Sequence, residues 1–327
     1  EATGITRAFA EGGVTTLEAM GLLLALVGIS FKTAAAPMHF YAADVYQGAA
    51  TPVTAFLAFV PKTAGFIALI ALLNLIGWPL ADAGAWGEAI VWLLWVMAAA
   101  TMFIGNTMAL RQISVKRVLA YSSIAHTGYM IVGLIAGPTV ARADVDALGE
   151  GLMISNGIAA VLFYLVVYGV MNLGAFAVLG LLKARGEDAE TYDDLRGLVR
   201  RQPLLAAVMA VCVLSLTGIP PIVGFWGKLY LVGAGVSAGH IGLVVMLVLA
   251  SAIGAVYYLR IIAACFLPEP QPGVERAALP WRTTAAVISA VIVVLLSLGG
   301  GLLLTGAQRA ADLPDVQVHS THLTRAE

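Results

Sequence analysis

Eight apolar runs, each long enough to cross a bilayer, occupy the sequence at approximately 17–47, 51–77, 86–110, 117–137, 151–183, 203–234, 239–267 and 281–305. A hydrocarbon core about 30 Å thick needs roughly 20 apolar residues per helix, so a chain of this pattern is confined to a bundle of membrane-spanning helices. Gly48 and Pro52, Gly77 and Pro79, Gly137 and Pro138, Gly186, Pro203 and the PEPQPG stretch at 268–273 mark the turns and helix starts between runs. Composition agrees, since 11% of residues are charged and 60% hydrophobic, whereas an average soluble domain carries about a quarter charged residues. The predicted fold is all-α: a polytopic transmembrane helix bundle of about eight spans. Residues 1–16 read as a loop, 17–305 as the transmembrane domain and 306–327 as a polar tail.

A net charge of −1 leaves no basic face for nucleic acid and no acidic face for cations. Joining the spans alternately puts Arg111, Lys116, Arg117, Lys183, Arg185, Arg196, Arg200, Arg201, Arg276 and Arg282 on one side, and only Arg7, Arg142, Arg309 and Arg325 on the other. The positive-inside rule assigns the first side to the cytoplasm and both chain ends to the outside. Cys212 and Cys265 lie inside spans with no metal-ligand spacing and read as inert buried thiols. The first residues, EATGITRAFAEGG, lack the apolar core of a signal peptide and resemble an interhelical loop, so the chain is expected to begin partway through a longer protein.

The first and sixth spans exceed a simple crossing, and each carries a breaker near its centre: Pro37 in FKTAAAPMHFY, and Gly218, Pro220, Pro221 and Gly224 in LTGIPPIVGFWGKLY. Proline removes a backbone donor and clashes with the preceding turn, so both helices are predicted to open locally. Open backbone at membrane depth is tolerated only inside protein or against a wet cavity. Paired interrupted helices point to an ion site between inverted repeats.

Three lysines, Lys32, Lys62 and Lys228, sit within the apolar runs. An ammonium at bilayer depth costs several kcal/mol, roughly 3 to 10 or more, so such residues are candidate functional groups. Lys32 precedes the turn at Gly48 by 16 residues and Lys62 follows it by 14, which places both roughly 20–24 Å from the cytoplasmic helix ends. Two amines in one desolvated layer disfavour each other's charge, the condition a proton carrier needs. No Asp or Glu is predicted at that depth, since Glu18 and Asp44 lie toward the ends of the first span. His39 follows Lys32 by seven residues, on the same helical face unless Pro37 rotates it away, and His126 shares a helical stripe with Ser122 and Tyr129. Both histidines are candidate relays, because imidazole changes charge near neutral pH. Asp44, Thr51 and Thr54 read as helix caps, and Arg260 as a snorkelling side chain near the cytoplasmic end of its span. No phosphate-binding glycine loop, iron–sulfur cysteine cluster or haem-type histidine pair is present, and HSTH at 319–322 is weak evidence for a metal. The rival readings are a cation antiporter subunit and a structural membrane anchor with paired lysines.

Three segments carry a specific resemblance: FKTAAAPMHFYAADVYQGAATPVTAFLAFVPKTAGF (31–66), QISVKRVLAYSSIAHTGYMIVGL (112–134) and GIPPIVGFWGKLYL (218–231). Together they resemble the subunit N family of the bacterial proton-pumping NADH:quinone oxidoreductase, respiratory complex I, over about residues 17–305. Related subunits L and M and Mrp-type antiporters share the broken helices, but FVPKTAGF and DVYQG favour subunit N; Ala50 departs from a common proline. The resemblance implies that Lys32 is the lysine of the first broken helix, Lys62 the bridging lysine, Lys228 the terminal lysine, and that His39 and His126 line a hydrated axis. It further implies a fourteen-helix fold in a bacterial inner membrane, of which this chain is the C-terminal part. An earlier helix would supply a glutamate partner for the first lysine. Neighbouring membrane subunits are the implied partners, with NADH, FMN, iron–sulfur clusters and quinone bound by other subunits and no cofactor in this chain.

Overall fold

The computed structural model describes residues 15–78, 84–138, 156–184, 186–267, 269, 274–277 and 279–311. In chain order these form α1 (Thr16–Thr33), α2 (Ala42–Gly48), α3 (Thr51–Ile76), α4 (Gly84–Leu110), α5 (Val115–Ala136), α6 (Gly157–Leu179), β1 (Leu182–Ala184), β2 (Glu187–Asp188), a 3-10 turn (Asp193–Leu195), α7 (Leu198–Arg201), α8 (Pro203–Thr217), α9 (Val223–Ser237), α10 (Ile241–Phe266), β3 (Val274–Arg276) and α11 (Pro280–Ala311). Among the described residues seven helices are long and apolar enough to cross a membrane. The 15-residue helices α8 and α9 flank the second break.

Local signals explain the helix ends. The Thr15 hydroxyl and the Glu18 carboxylate form a capping box at α1. Asn156 Oδ1 accepts from the Ala159 N–H at 3.0 Å to start α6. Pro52 and Pro203 stand in the first turns of α3 and α8, where a missing N–H costs no hydrogen bond.

Helices α5 and α6 form the centre. Almost all of α5 is buried, because it packs against α2, α3, α4, α6, α9 and α10, while α6 meets α3, α8, α9 and α11. The approach of α4 to α5 depends on absent side chains: a Cβ at Gly105 would lie 2.5 Å from the Ala125 nitrogen. Small residues at such crossings let backbones touch, a common basis of packing where lipid removes the hydrophobic drive. The outer faces of α1, α10 and α11 carry exposed Leu23, Leu24, Leu249, Leu298 and Leu302, as suits helices bathed in hydrocarbon.

Both predicted breaks are present. Helix α1 ends where Ala34 adopts a left-handed conformation, and α8 ends the same way at Gly218. Side chains from neighbouring elements satisfy the freed backbone. In the first break the Ala36 N–H donates to Thr101 Oγ1 at 2.9 Å. In the second, the Val223 N–H donates to Ser297 Oγ at 2.9 Å and the Gly224 N–H to Ser215 Oγ at 3.1 Å.

Three features depart from the sequence reading. A small antiparallel sheet of order β2-β1-β3, pairing Lys183 with Asp188 and with Glu275, joins two loops at the basic end of the bundle. The expected tail is still helical from 306 to Ala311, because α11 continues past a kink at Gly299. Asp44 and Thr51 do not cap with their side chains, whereas the Thr54 hydroxyl caps the last turn of α2. Asp44 pairs with Arg117 at 2.8 Å, Thr51 donates to Asp188 at 2.8 Å, and Thr54 donates to the Tyr46 carbonyl at 3.0 Å. Arg7, Arg142, Arg185, Arg325, HSTH and the segments 1–14 and 312–327 lie outside the described residues.

Candidate functional site

Two of the three lysines point into the bundle. Lys62, on α3, is 3% exposed and Lys228, on α9, is 7% exposed. Between them lies His126 of α5, 1% exposed. The Lys62 ammonium donates to the backbone carbonyl and the hydroxyl of Ser123. It also stands 4.9 Å from the ring centre of Tyr168, on α6. At the other end the Lys228 ammonium donates to the Thr217 carbonyl and to Ser251 Oγ, each at 2.7 Å, and lies 5.4 Å from the ring centre of Tyr129. Neither lysine has a carboxylate partner among the described residues. The cations are held by dipoles and aromatic faces, each such contact contributing about 0.5–2 kcal/mol.

The imidazole of His126 completes the line. Its ring packs 5.0 Å from Tyr168 and 5.2 Å from Tyr129, so Lys62, Tyr168, His126, Tyr129 and Lys228 follow one another in contact. Its Nδ1 meets the Tyr164 hydroxyl at 2.7 Å and its Nε2 the Tyr258 hydroxyl at 2.8 Å, and Tyr258 also bonds Ser122. A neutral imidazole donates from one nitrogen and accepts at the other, so the ring must donate to one tyrosine and accept from its opposite. Exchanging tautomers reverses both bonds, which lets the ring take a proton on one side and release one on the other. Asn106 ties Tyr129 and Tyr257 to α4, accepting from Tyr257 at 3.0 Å.

The sequence anticipated the stripe of Ser122, His126 and Tyr129. It did not single out Ser123, Tyr164, Tyr168, Ser251 or Tyr258. A signal existed in the one-turn spacing of Tyr164 and Tyr168 and in the Tyr257-Tyr258 pair inside an apolar run.

Lys32 and His39 fall elsewhere. Lys32 shares the layer of Lys62, since a Cβ at Gly65, one turn beyond Lys62, would lie 3.7 Å from Lys32 Cγ. Its side chain is nevertheless exposed on the outer face, contrary to the expectation that the bundle encloses all three amines. The cause is that α1 packs chiefly on α3, leaving its other face open. His39 is half-buried in the first break, and its Nδ1 is enclosed without a hydrogen-bond partner among the described residues. No contact described joins it to the central chain.

At the basic end, a polar cluster fixes the frame of the site. Arg117 holds Asp44 and Gln47 of α2 at 2.8 and 2.9 Å, Gln47 donates to Glu190 at 3.2 Å, and buried Lys116 pairs with Glu190 at 3.2 Å and Asp188 at 3.8 Å. Partial burial pushes the Asp188 carboxyl up, but hydrogen bonds from Lys183 and Thr51 and the charges of Lys183 and Lys116 outweigh it and hold it below the usual carboxylate range. Arg260, read as snorkelling, lies 4.2 Å from the ring centre of Tyr192.

Broken helices, buried lysines without a carboxylate partner among the described residues and an intervening tyrosine–histidine network define a polytopic helical membrane protein with a titratable core. The chain belongs to the family described as NADH:quinone oxidoreductase/Mrp antiporter, TM, which matches residues 3–254. It is 42% identical over 283 residues to NADH-quinone oxidoreductase subunit N of Trichlorobacter lovleyi, covering 86% of this chain and 53% of that protein. It is 37% identical over 294 residues to the subunit N of Paramagnetospirillum magneticum, covering 90% and 56%. The chain thus spans about half the length of these relatives. Among solved structures, a chain of respiratory complex I from Thermus thermophilus with bound aureothin superposes with a TM-score of 0.73 at 35% identity, over 93% of this chain and 65% of that one. A chain of the Mrp complex from a Dietzia species shares the fold with a TM-score of 0.76 at 23% identity, over 94% and 61%.

Proposed function

We propose that the chain is part of a membrane subunit of a proton-translocating NADH:quinone oxidoreductase, of the subunit N kind, in a bacterial inner membrane. Protons pass along the line Lys62, His126, Lys228, with the neighbouring tyrosines and serines as hydrogen-bonding steps. The observation that carries this reading is the unbroken contact from Lys62 through Tyr168, His126 and Tyr129 to Lys228, with no carboxylate among the described residues to fix either charge. An ammonium held only by carbonyls, hydroxyls and ring faces can lose its proton without stranding a buried counter-charge. Lys32 joins the path from the outer face, at the level of Lys62. His39 is the relay candidate in the first break.

Redox chemistry belongs to partner subunits that hold NADH, FMN, iron–sulfur clusters and quinone. This chain contributes proton transfer, driven by electrostatic or conformational change in the neighbouring membrane subunits. Replacing Lys62 by Met in the assembled complex, reconstituted in proteoliposomes, tests the reading. The expected result is fewer protons moved per electron or slower turnover, with assembly intact. Unchanged pumping assigns the chain to a structural anchor. Sodium–proton exchange without NADH or quinone assigns it instead to a cation antiporter.

A further inference from the structure

A cavity of about 360 Å³ opens on the side of the bundle between the second broken helix and α10. Thr217, Gly218, Lys228 and Ser251 supply its polar wall, and Val248 and Ala252, on the exposed face of α10, lie at its mouth. The remaining lining is apolar, including Phe225 and Leu247. Exposed Val245, Leu249 and Val256 share the helix face at the mouth, so its surround is apolar.

The Lys228 ammonium has three N–H donors, and its two hydrogen bonds go to Thr217 and Ser251, both on the cavity wall. A cation with donor capacity left over at the base of an apolar pocket selects an amphiphile with an anionic head. Depth selects further. Ser251 is ten residues into α10, about 15 Å from the helix start at 1.5 Å per residue, and hence near the middle of a core about 30 Å thick. A phospholipid headgroup is held at the interface and cannot reach that level. A single-chain carboxylic acid enters the hydrocarbon in its neutral form and can give its proton to the unprotonated Lys228 amine there, leaving an ammonium–carboxylate pair.

We propose that this cavity is a lateral binding site for a long-chain fatty acid, its carboxylate accepting from Lys228 Nζ and its tail lying along α10. The site rests on the reading of Lys228 as a proton carrier only in this respect: a bound carboxylate holds the ammonium charged, so occupancy opposes transfer through it. The test uses a photoreactive palmitate on the assembled complex in native membranes, with peptide mapping. Expected is saturable labelling of residues 217–255, competed by oleate but not by methyl oleate. Ala252→Trp, at the cavity mouth and away from the proton path, should reduce labelling at least fivefold while assembly and turnover persist. Equal competition by the ester, or labelling unmoved by Ala252→Trp, means only general lipid contact and overturns the site. Absence of labelling means that another helix covers the mouth and overturns it equally.

Discussion

The ammonium of Lys62 lies 4.9 Å from the ring centre of Tyr168, and that ring packs 5.0 Å from the imidazole of His126. One aromatic ring therefore separates a buried amine from the histidine at the centre of the bundle.

Replacement of Tyr168 by Leu should remove the cation–π contact while leaving an apolar core. A loss of about 0.5–2 kcal/mol at the lysine corresponds to a 2- to 30-fold change in a transfer rate that depends on it. Tyr168→Phe keeps the ring and should retain most of the activity, because the Tyr168 hydroxyl has no hydrogen-bond partner among the described residues. Proton uptake by proteoliposomes containing each variant separates the two roles: equal loss in both would assign the effect to the hydroxyl.

His126→Phe should damage both stability and transfer. It strands the hydroxyl of Tyr164 in a site closed to water and leaves Tyr258 with Ser122 alone, at about 1–3 kcal/mol for the unsatisfied group. Thermal unfolding of the purified complex should begin several degrees lower, and proton pumping should fall. His126→Gln, able to donate and accept, should recover stability more than pumping.

Gly224 marks how tightly the second break is closed. A Cβ there would lie 1.8 Å from the Ser215 carbonyl oxygen, a backbone atom that cannot swing aside. Gly224→Ala should therefore block assembly, visible as loss of the subunit from membranes. Gly242→Ala, whose Cβ would meet only Trp95 at 3.9 Å, should assemble normally.

Much of this arrangement was legible in the sequence. The spans follow from apolar length, and the breaks at Pro37 and Gly218–Pro221 follow from residues that cannot continue a helix. The level shared by Lys32 and Lys62 follows from counting residues back from Gly48. What could not be read is which side of a helix faces inward. The spans are apolar all round, so Lys32 and Lys62 look alike in sequence although α1 has one main neighbour and α3 several. The tyrosines were missed for a related reason: Tyr164, Tyr168 and Tyr258 become polar partners only when α6 and α10 bring them around His126. The sheet was invisible because β1 and β3 are three residues each and separated by two helical crossings.

The basic end should respond to acid in a defined direction. Because the folded Asp188 carboxyl is held below its usual range, the stabilisation it contributes is present above the unfolded value of about 3.9 and is lost as pH falls through the lower folded value. Asp188→Asn should abolish that dependence and loosen the contact of β1 and β2 with α3 and α5. Hydrogen exchange of residues 182–190 at neutral pH should be faster in the variant. Unchanged protection would show that Lys116 and Glu190 hold the cluster alone.

The most direct test is whether the enclosed amines change protonation during turnover. Isotope-edited infrared difference spectra of the assembled complex, with 15N-lysine, report the ammonium bands before and during NADH oxidation. The expected result is a lysine signal that diminishes in both Lys62→Met and Lys228→Met complexes. A spectrum in which every lysine remains charged throughout the working cycle would contradict proton transfer through this chain.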